Sequence, residues 1–145
     1  MYKLTHTREI PYNKFIGLRK SDKPTEFILM LESKAEYINH LGTVHASALF
    51  ALAEASSGQF LLDQFVVYNL PLIPVVRKVE VKFNKPANGV VYSKAAIIDS
   101  TTETIVEELK EKKRVLLKIR VDLFNSNSEK VFTSVYDWFI TMLND

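Results

Sequence analysis

The residues in this chain best suited to chemistry lie in Asn39-His40-Leu41-Gly42-Thr43-Val44-His45-Ala46-Ser47, with Glu54 seven positions further on. The segment runs from a glycine-containing loop into a stretch rich in alanine and leucine, so it enters the start of a helix. Helix N-termini present unpaired N–H groups and the positive end of the peptide dipole. A carbonyl oxygen that develops negative charge is stabilised there, and the Asn39 side chain can donate a second hydrogen bond. Glu54 is the acid or base on the same helix. It follows His45 by nine residues, and nine steps of about 100° carry it to the opposite side. One site cannot easily take both from a single chain. Ser47 and Ser57 lie nearer the face of Glu54 and form a thin polar stripe with it.

Each of these residues also has a plainer reading. Asn39 ahead of Gly42 is ordinary loop chemistry, and His45 in a first turn serves as a cap or as a surface residue. Glu54 is harder to explain away, because burying a carboxylate is costly unless it is paired or functional. Arg77 shares the parity of Val79, Val81 and Phe83 on a strand pattern, and a charge on an inward face needs a partner. It reads as a structural ion pair near the start of that strand or as a contact to substrate, with Glu54 the obvious partner in either case.

The elements that position these residues come from a chain of 145 residues, 47% hydrophobic and 25% charged. That is enough for one domain, 1–145, with a core of its own and no need of staples. There is no cysteine, which removes disulfides, zinc ribbons and a cysteine nucleophile. A net charge of +2 gives no footprint for nucleic acid; Lys110 to Arg114 is a short run and the aromatics fall on strand faces. Met1 to Pro11 carries Lys3, His6, Arg8 and Glu9 without an apolar core, so no signal peptide is expected. No apolar stretch reaches the length of a membrane span. A soluble cytoplasmic protein without metal or cofactor is the expectation.

Phe15 to Leu18 reads as a first short strand, Ser21 to Pro24 as a turn, and Glu26 to Glu32 as a buried strand completing a hairpin. Thr43 to Phe65 is the long helix, with Thr43 as N-cap. Its many small residues let other backbone approach closely, and a helix apolar or small nearly all round is a buried one. Val75 to Lys85 alternates as a strand, Pro86-Ala87-Asn88-Gly89 carries the Asn-Gly hairpin signal, and Val90 to Asp99 reads as the return strand. Ser100 to Glu103 matches a capping box, opening a helix of about three turns through Ile105, Val106 and Leu109. Arg114 to Asn125 alternates again, with Val115, Leu117, Ile119, Val121 and Leu123 on one face. Glu129 to Leu143 is a long last strand, apolar on both faces; with one helix for cover, its second face is expected to meet a subunit partner. Antiparallel hairpins around one small-residue helix make an α+β layout.

Asn39-x-x-Gly42-x-x-His45 followed by Glu54 on a small-residue helix resembles the hotdog-fold acyl-CoA thioesterases of the phenylacetyl-CoA and 4-hydroxybenzoyl-CoA type. Lys85-Pro86-Ala87 and the element order share that likeness, which covers nearly the whole chain. The extra capped helix resembles the branch labelled DUF4442. The resemblance implies a hotdog fold, an antiparallel sheet wrapped around one long central helix with one extra short helix. It implies hydrolysis of an acyl-CoA, with coenzyme A entering only as part of the substrate. Asn39 would help polarise the thioester carbonyl, His45 would flank it, Ala46 would supply the backbone N–H at the helix start, and Glu54 would act as nucleophile or as general base. In the family this carboxylate works across a dimer interface against the other subunit's loop, which answers the opposite-faces difficulty; a homodimer, or a dimer of dimers, follows. Gly42, Ser47, Ser57, Arg77, Lys82 and Lys85 are the expected substrate contacts, the basic ones, with the Lys110 to Arg114 run, for the CoA phosphates. The chain departs from the family where Ala46-Ser47 replaces Gly-Gly, and where a Ser or Thr on the next strand gives way to Val76 or Arg77. A non-catalytic acyl-CoA or fatty-acyl binding protein of the same fold is the alternative, with Glu54 locked to Arg77. A dehydratase of this fold would need a Gly-His-Phe-Pro loop, which is absent.

Overall fold

The computed structural model describes residues 4–143; Lys3, named above, lies outside them. A short helix α1 (Pro11–Ile16) is followed by strands β1 (Arg19–Lys20) and β2 (Leu29–Leu31), the long helix α2 (Ala46–Phe65), and strands β3 (Leu72–Phe83) and β4 (Val91–Ile98). Helix α3 (Thr102–Lys112) and strands β5 (Arg114–Asn125) and β6 (Lys130–Met142) complete the chain. The six strands form one antiparallel sheet in the order β1-β2-β4-β5-β6-β3.

Helix α2 forms because alanine and leucine dominate it and no β-branched residue interrupts it before Val66. It lies against β2, β4, β5 and β6, and Leu49, Leu52, Ala53, Ala55 and Leu61 are buried along it. The sheet answers with the inward row of β5 (Val115, Leu117, Ile119, Val121, Leu123) and with Phe132, Tyr136, Trp138 and Ile140 of β6. This is the expected α+β hotdog arrangement, with α3 as the extra short helix. Ile105, Val106 and Leu109 of α3 are buried in the same core, as their spacing required.

Several local expectations are corrected. Phe15 to Leu18 is not a strand: Pro11 opens α1, Gly17 ends it in the left-handed region at φ +79°, and pairing begins only at Arg19. Thr43 does not cap α2. His45 does, and the helix starts three residues later than expected. The Asn-Gly sequence closes no hairpin, because β3 pairs with β6 at one edge of the sheet while β4 pairs with β2 and β5. Ala87 is instead fully buried beneath the loop before α2, where its carbonyl accepts from the Val44 N–H at 2.9 Å. Thr101, rather than Ser100, caps α3, accepting from the Thr104 N–H at 3.2 Å.

Candidate active site

The loop before α2 is held by its own side chains. Asn39 Oδ1 accepts from the N–H groups of Leu41 at 2.9 Å and Thr43 at 3.1 Å, and its Nδ2 donates to Thr43 Oγ1 at 3.0 Å. Gly42 sits at φ +77°, where an L side chain is strained. The plainer reading of Asn39 is therefore realised: it shapes an Asx turn. One of its two Nδ2–H bonds serves that turn, and the amide carries a second. His45 Nδ1 accepts from the Ser47 N–H at 2.9 Å, so the expected cap is present but its partner is Ser47. The Ala46 N–H is left as the open donor at this helix start, with no partner among the described residues. His45, Ala46 and Ser47 are all exposed.

Glu54 lies two and a half turns along α2, about 13 Å of helix beyond His45. Ser47, Phe50, Glu54 and Ser57 follow one another at spacings of three and four residues, so they form a stripe down one side. A cavity of about 290 Å³ opens on it, lined by Tyr12, Asn13, Ser47, Phe50, Ala51 and Glu54. Glu54 is largely buried, and that burial pushes its carboxyl above the ordinary glutamate value. Among the described residues its carboxylate has neither a hydrogen-bond donor nor a counter-ion. The turn that carries it is fixed from below: the fully buried Ser57 donates to the Glu54 carbonyl at 2.8 Å and accepts from Trp138 Nε1 at 3.2 Å. Ser57 thus turns inward to hold the backbone, not outward to meet a ligand.

The expected pairing of Glu54 with Arg77 is not formed. A register shift against β6 falls between Val76 and Lys78, and Arg77 is the extra residue. The bulge breaks the parity on which the inward reading rested: Val76 and Val79 face in, while Arg77 is exposed with its guanidinium 5.2 Å from the Phe139 ring on the outer side. Lys82 is exposed on β3, and Lys85 is ion-paired to Glu129. The Lys110 to Arg114 run is solvated, with Lys112 bridging to Glu108 at 3.4 Å along α3. A larger cleft of about 640 Å³ lies elsewhere, between His6, Arg8, Lys20, Phe27, Phe60 and Lys94, and takes in none of the candidate catalytic or substrate-binding residues.

Tyr12, Asn13 and Phe50 belong to the Glu54 cavity and were not anticipated. Phe50 precedes Glu54 by four residues, and that spacing was available to find it. Tyr12 and Asn13 were hidden because their helix read as the approach to a strand. Among the described residues, no helix is long and apolar enough to cross a membrane.

A six-stranded antiparallel sheet wrapped on one long helix, with a polar loop at the helix start, defines a hotdog domain. The chain belongs to DUF4442, a domain family of unknown function whose profile matches residues 3–140. No curated protein matches the sequence. Among solved structures it is similar to PA5026 of Pseudomonas aeruginosa, a protein of unknown function described as a probable thioesterase, at 24% identity and a TM-score of 0.79 over 94% of this chain and 91% of that one. It is similar to the PaaI protein of the Escherichia coli phenylacetic acid degradation operon, at 14% identity and a TM-score of 0.63 over 86% and 84%. It is also similar to BH2602 of Bacillus halodurans, solved with CoA, at 16% identity and a TM-score of 0.60 over 77% and 69%. At these identities the likeness is one of fold.

Proposed function

We propose that this chain is an acyl-CoA thioesterase, a single-domain cytoplasmic homodimer in which Glu54 of one protomer faces the loop Asn39 to Ser47 of the partner subunit. The observation that carries the reading is Glu54 itself: a desolvated carboxylate with no counter-ion among the described residues, on a largely apolar stretch of α2, opening onto a cavity. Evolution of a purely structural helix has no use for such a group, because its burial costs stability without return. The relatives described as thioesterase or solved with CoA support the same chemistry.

In this mechanism the thioester carbonyl oxygen receives hydrogen bonds from Asn39 Nδ2 and from the Ala46 N–H of one protomer, beside His45. Both strengthen as the oxygen becomes an oxyanion. Glu54 of the other protomer attacks the carbonyl carbon, or takes a proton from the water that does. The C–S bond then breaks and CoA leaves as a thiol; water supplies the hydroxyl of the carboxylic acid and the proton of the thiol. The raised pKa of Glu54 suits a base, since a carboxylate held by an arginine would be a weaker one. Gly42 sets the loop's turn, Ser47 lines the cavity, and Ser57 fixes the Glu54 turn. Arg77 and Lys82, with the Lys110 to Arg114 run, are the exposed cations available to CoA phosphates. Lys85 reaches them only by leaving Glu129.

The dimer is supported by the edge of the sheet. Strand β3 ends the strand order, is 12 residues long, and exposes Ile73, Val75 and Phe83. A long, apolar edge invites pairing with another chain. The half-covered outer row of β6, Val135 and Phe139, extends the apolar surface.

A panel of acyl-CoA esters assayed for thiol release tests the reading. Hydrolysis of at least one ester by the purified chain is expected. Tight acyl-CoA binding without turnover of any ester would favour the non-catalytic alternative, whose Glu54–Arg77 pair is absent here.

A further inference from the structure

One buried group near the site has no role in the mechanism above. Tyr136 is fully buried on the inner face of β6, and among the described residues its hydroxyl has no hydrogen-bond partner. Leaving a phenol O–H unpaired inside a protein costs about 1–3 kcal/mol, and such orphans are few in native structures. A phenylalanine of the same shape would fill the same space without that cost.

The position of the hydroxyl is informative. Two contacts join the stripe of α2 to β6: the Phe50 ring lies 6.3 Å from the Tyr136 ring, and Ser57 accepts from Trp138. Tyr136 and Trp138 are two apart on β6, so they share its inner face. Glu54 lies between Phe50 and Ser57 on the same side of the helix, one turn from each. The carboxylate is therefore bracketed by the contacts that hold α2 against Tyr136 and Trp138. Burial raises the phenol pKa above its ordinary value and the Glu54 charge adds to the rise, while the nearby Ser134 hydroxyl, which itself donates to the Val121 carbonyl at 3.2 Å, opposes it. The phenol accordingly stays protonated, a donor and not a base. The two groups are complementary: among the described residues the carboxylate has no donor within hydrogen-bond geometry and the hydroxyl has no acceptor.

We propose that Tyr136 is a positioning residue for Glu54, its buried hydroxyl donating to the Glu54 carboxylate through one water, and so aiming it at the acyl carbonyl. The proposal rests on the reading of Glu54 as the catalytic carboxylate. Tyr136 touches no substrate. It acts through Glu54, and selects the orientation in which one carboxylate oxygen is held inside and the other faces the cavity.

The test has two arms. With tyrosine labelled by ¹³C at Cζ, whose shift reports hydrogen bonding of the hydroxyl, the Tyr136 signal is assigned from its loss in Tyr136→Phe and then followed in Glu54→Gln. A displaced Tyr136 signal in Glu54→Gln is expected. An unmoved signal would overturn the proposal, whether or not the protein hydrolyses any ester. In the second arm Tyr136→Phe is assayed on an ester that the wild type hydrolyses. Losing one hydrogen bond to a charged group lowers kcat by about 10- to 100-fold with KM nearly unchanged. Wild-type turnover in Tyr136→Phe would overturn the positioning role. Absence of wild-type hydrolysis counts against the thioesterase reading alone and leaves the labelled arm to decide on Tyr136.

Discussion

The start of α2 and its middle solve opposite problems. From Asn39 to Ser47 nearly every polar group is matched within the loop: Asn39 ties Leu41 and Thr43, and His45 ties Ser47. Two turns on, Glu54 and Tyr136 leave a carboxylate and a hydroxyl unmatched among the described residues. The first region is built for shape, and the second holds an electrostatic debt that only a substrate or each other can settle. In a domain whose net stability is about 5–15 kcal/mol, the unmatched pair is where function is to be sought. The loop's part is to present donors from a rigid frame.

Glu54→Gln tests the contrast most strongly. It keeps the shape and removes the base or nucleophile, so turnover falls by about 10²–10⁴-fold. The same substitution stabilises the fold at neutral pH. The Glu54 carboxyl titrates above its unfolded value, so the folded state binds its proton more tightly. Its contribution to stability is complete below the ordinary glutamate value and is lost as pH rises through the raised one. The melting temperature of Glu54→Gln thus exceeds that of the wild type near pH 7, and the gap closes as the medium is acidified below about 4.5. A gap independent of pH would show that Glu54 is not desolvated.

Asn39→Ala sharpens the other half of the contrast. It slows turnover by about 10²–10³-fold as an oxyanion donor is lost. It also lowers stability by about 1–2 kcal/mol, because hydrogen bonds of the turn go with it. Glu54→Gln and Asn39→Ala therefore move stability in opposite directions, which thermal melts read directly. Ile73→Glu with Val75→Glu places charges on the exposed apolar row of β3, and light scattering should then report a monomer without measurable turnover. A dimer that survives this change lies on another face. The smallest effect is that of His45→Ala, which removes the cap of α2 and costs about 1 kcal/mol.

Much of the frame was legible in the chain. The alternation of Arg114 to Asn125 and the small-residue helix were visible because one face of each must be apolar to be buried. The sheet order was not. The Asn-Gly signal is local, whereas β3 finds β6 some 60 residues later through the apolar faces of both. Arg77 misled for a related reason: parity holds along an unbroken ladder, and a single bulged residue reverses it. At the site, Glu54 was legible as a charge where the pattern demanded none. The orphaned hydroxyl of Tyr136 was not, because a tyrosine in an apolar row reads as packing until its partners are known.

Complementation between two inactive variants tests the shared site most directly. Glu54→Gln and Asn39→Ala protomers are unfolded together, refolded as a mixture, and assayed on a thioester that the wild type hydrolyses. A hybrid dimer of two-fold symmetry pairs the intact Glu54 of one protomer with the intact loop of the other at one of its two sites, so random mixing restores roughly a quarter of wild-type activity. Activity no greater than the sum of the two variants measured apart would contradict a catalytic centre built from both subunits.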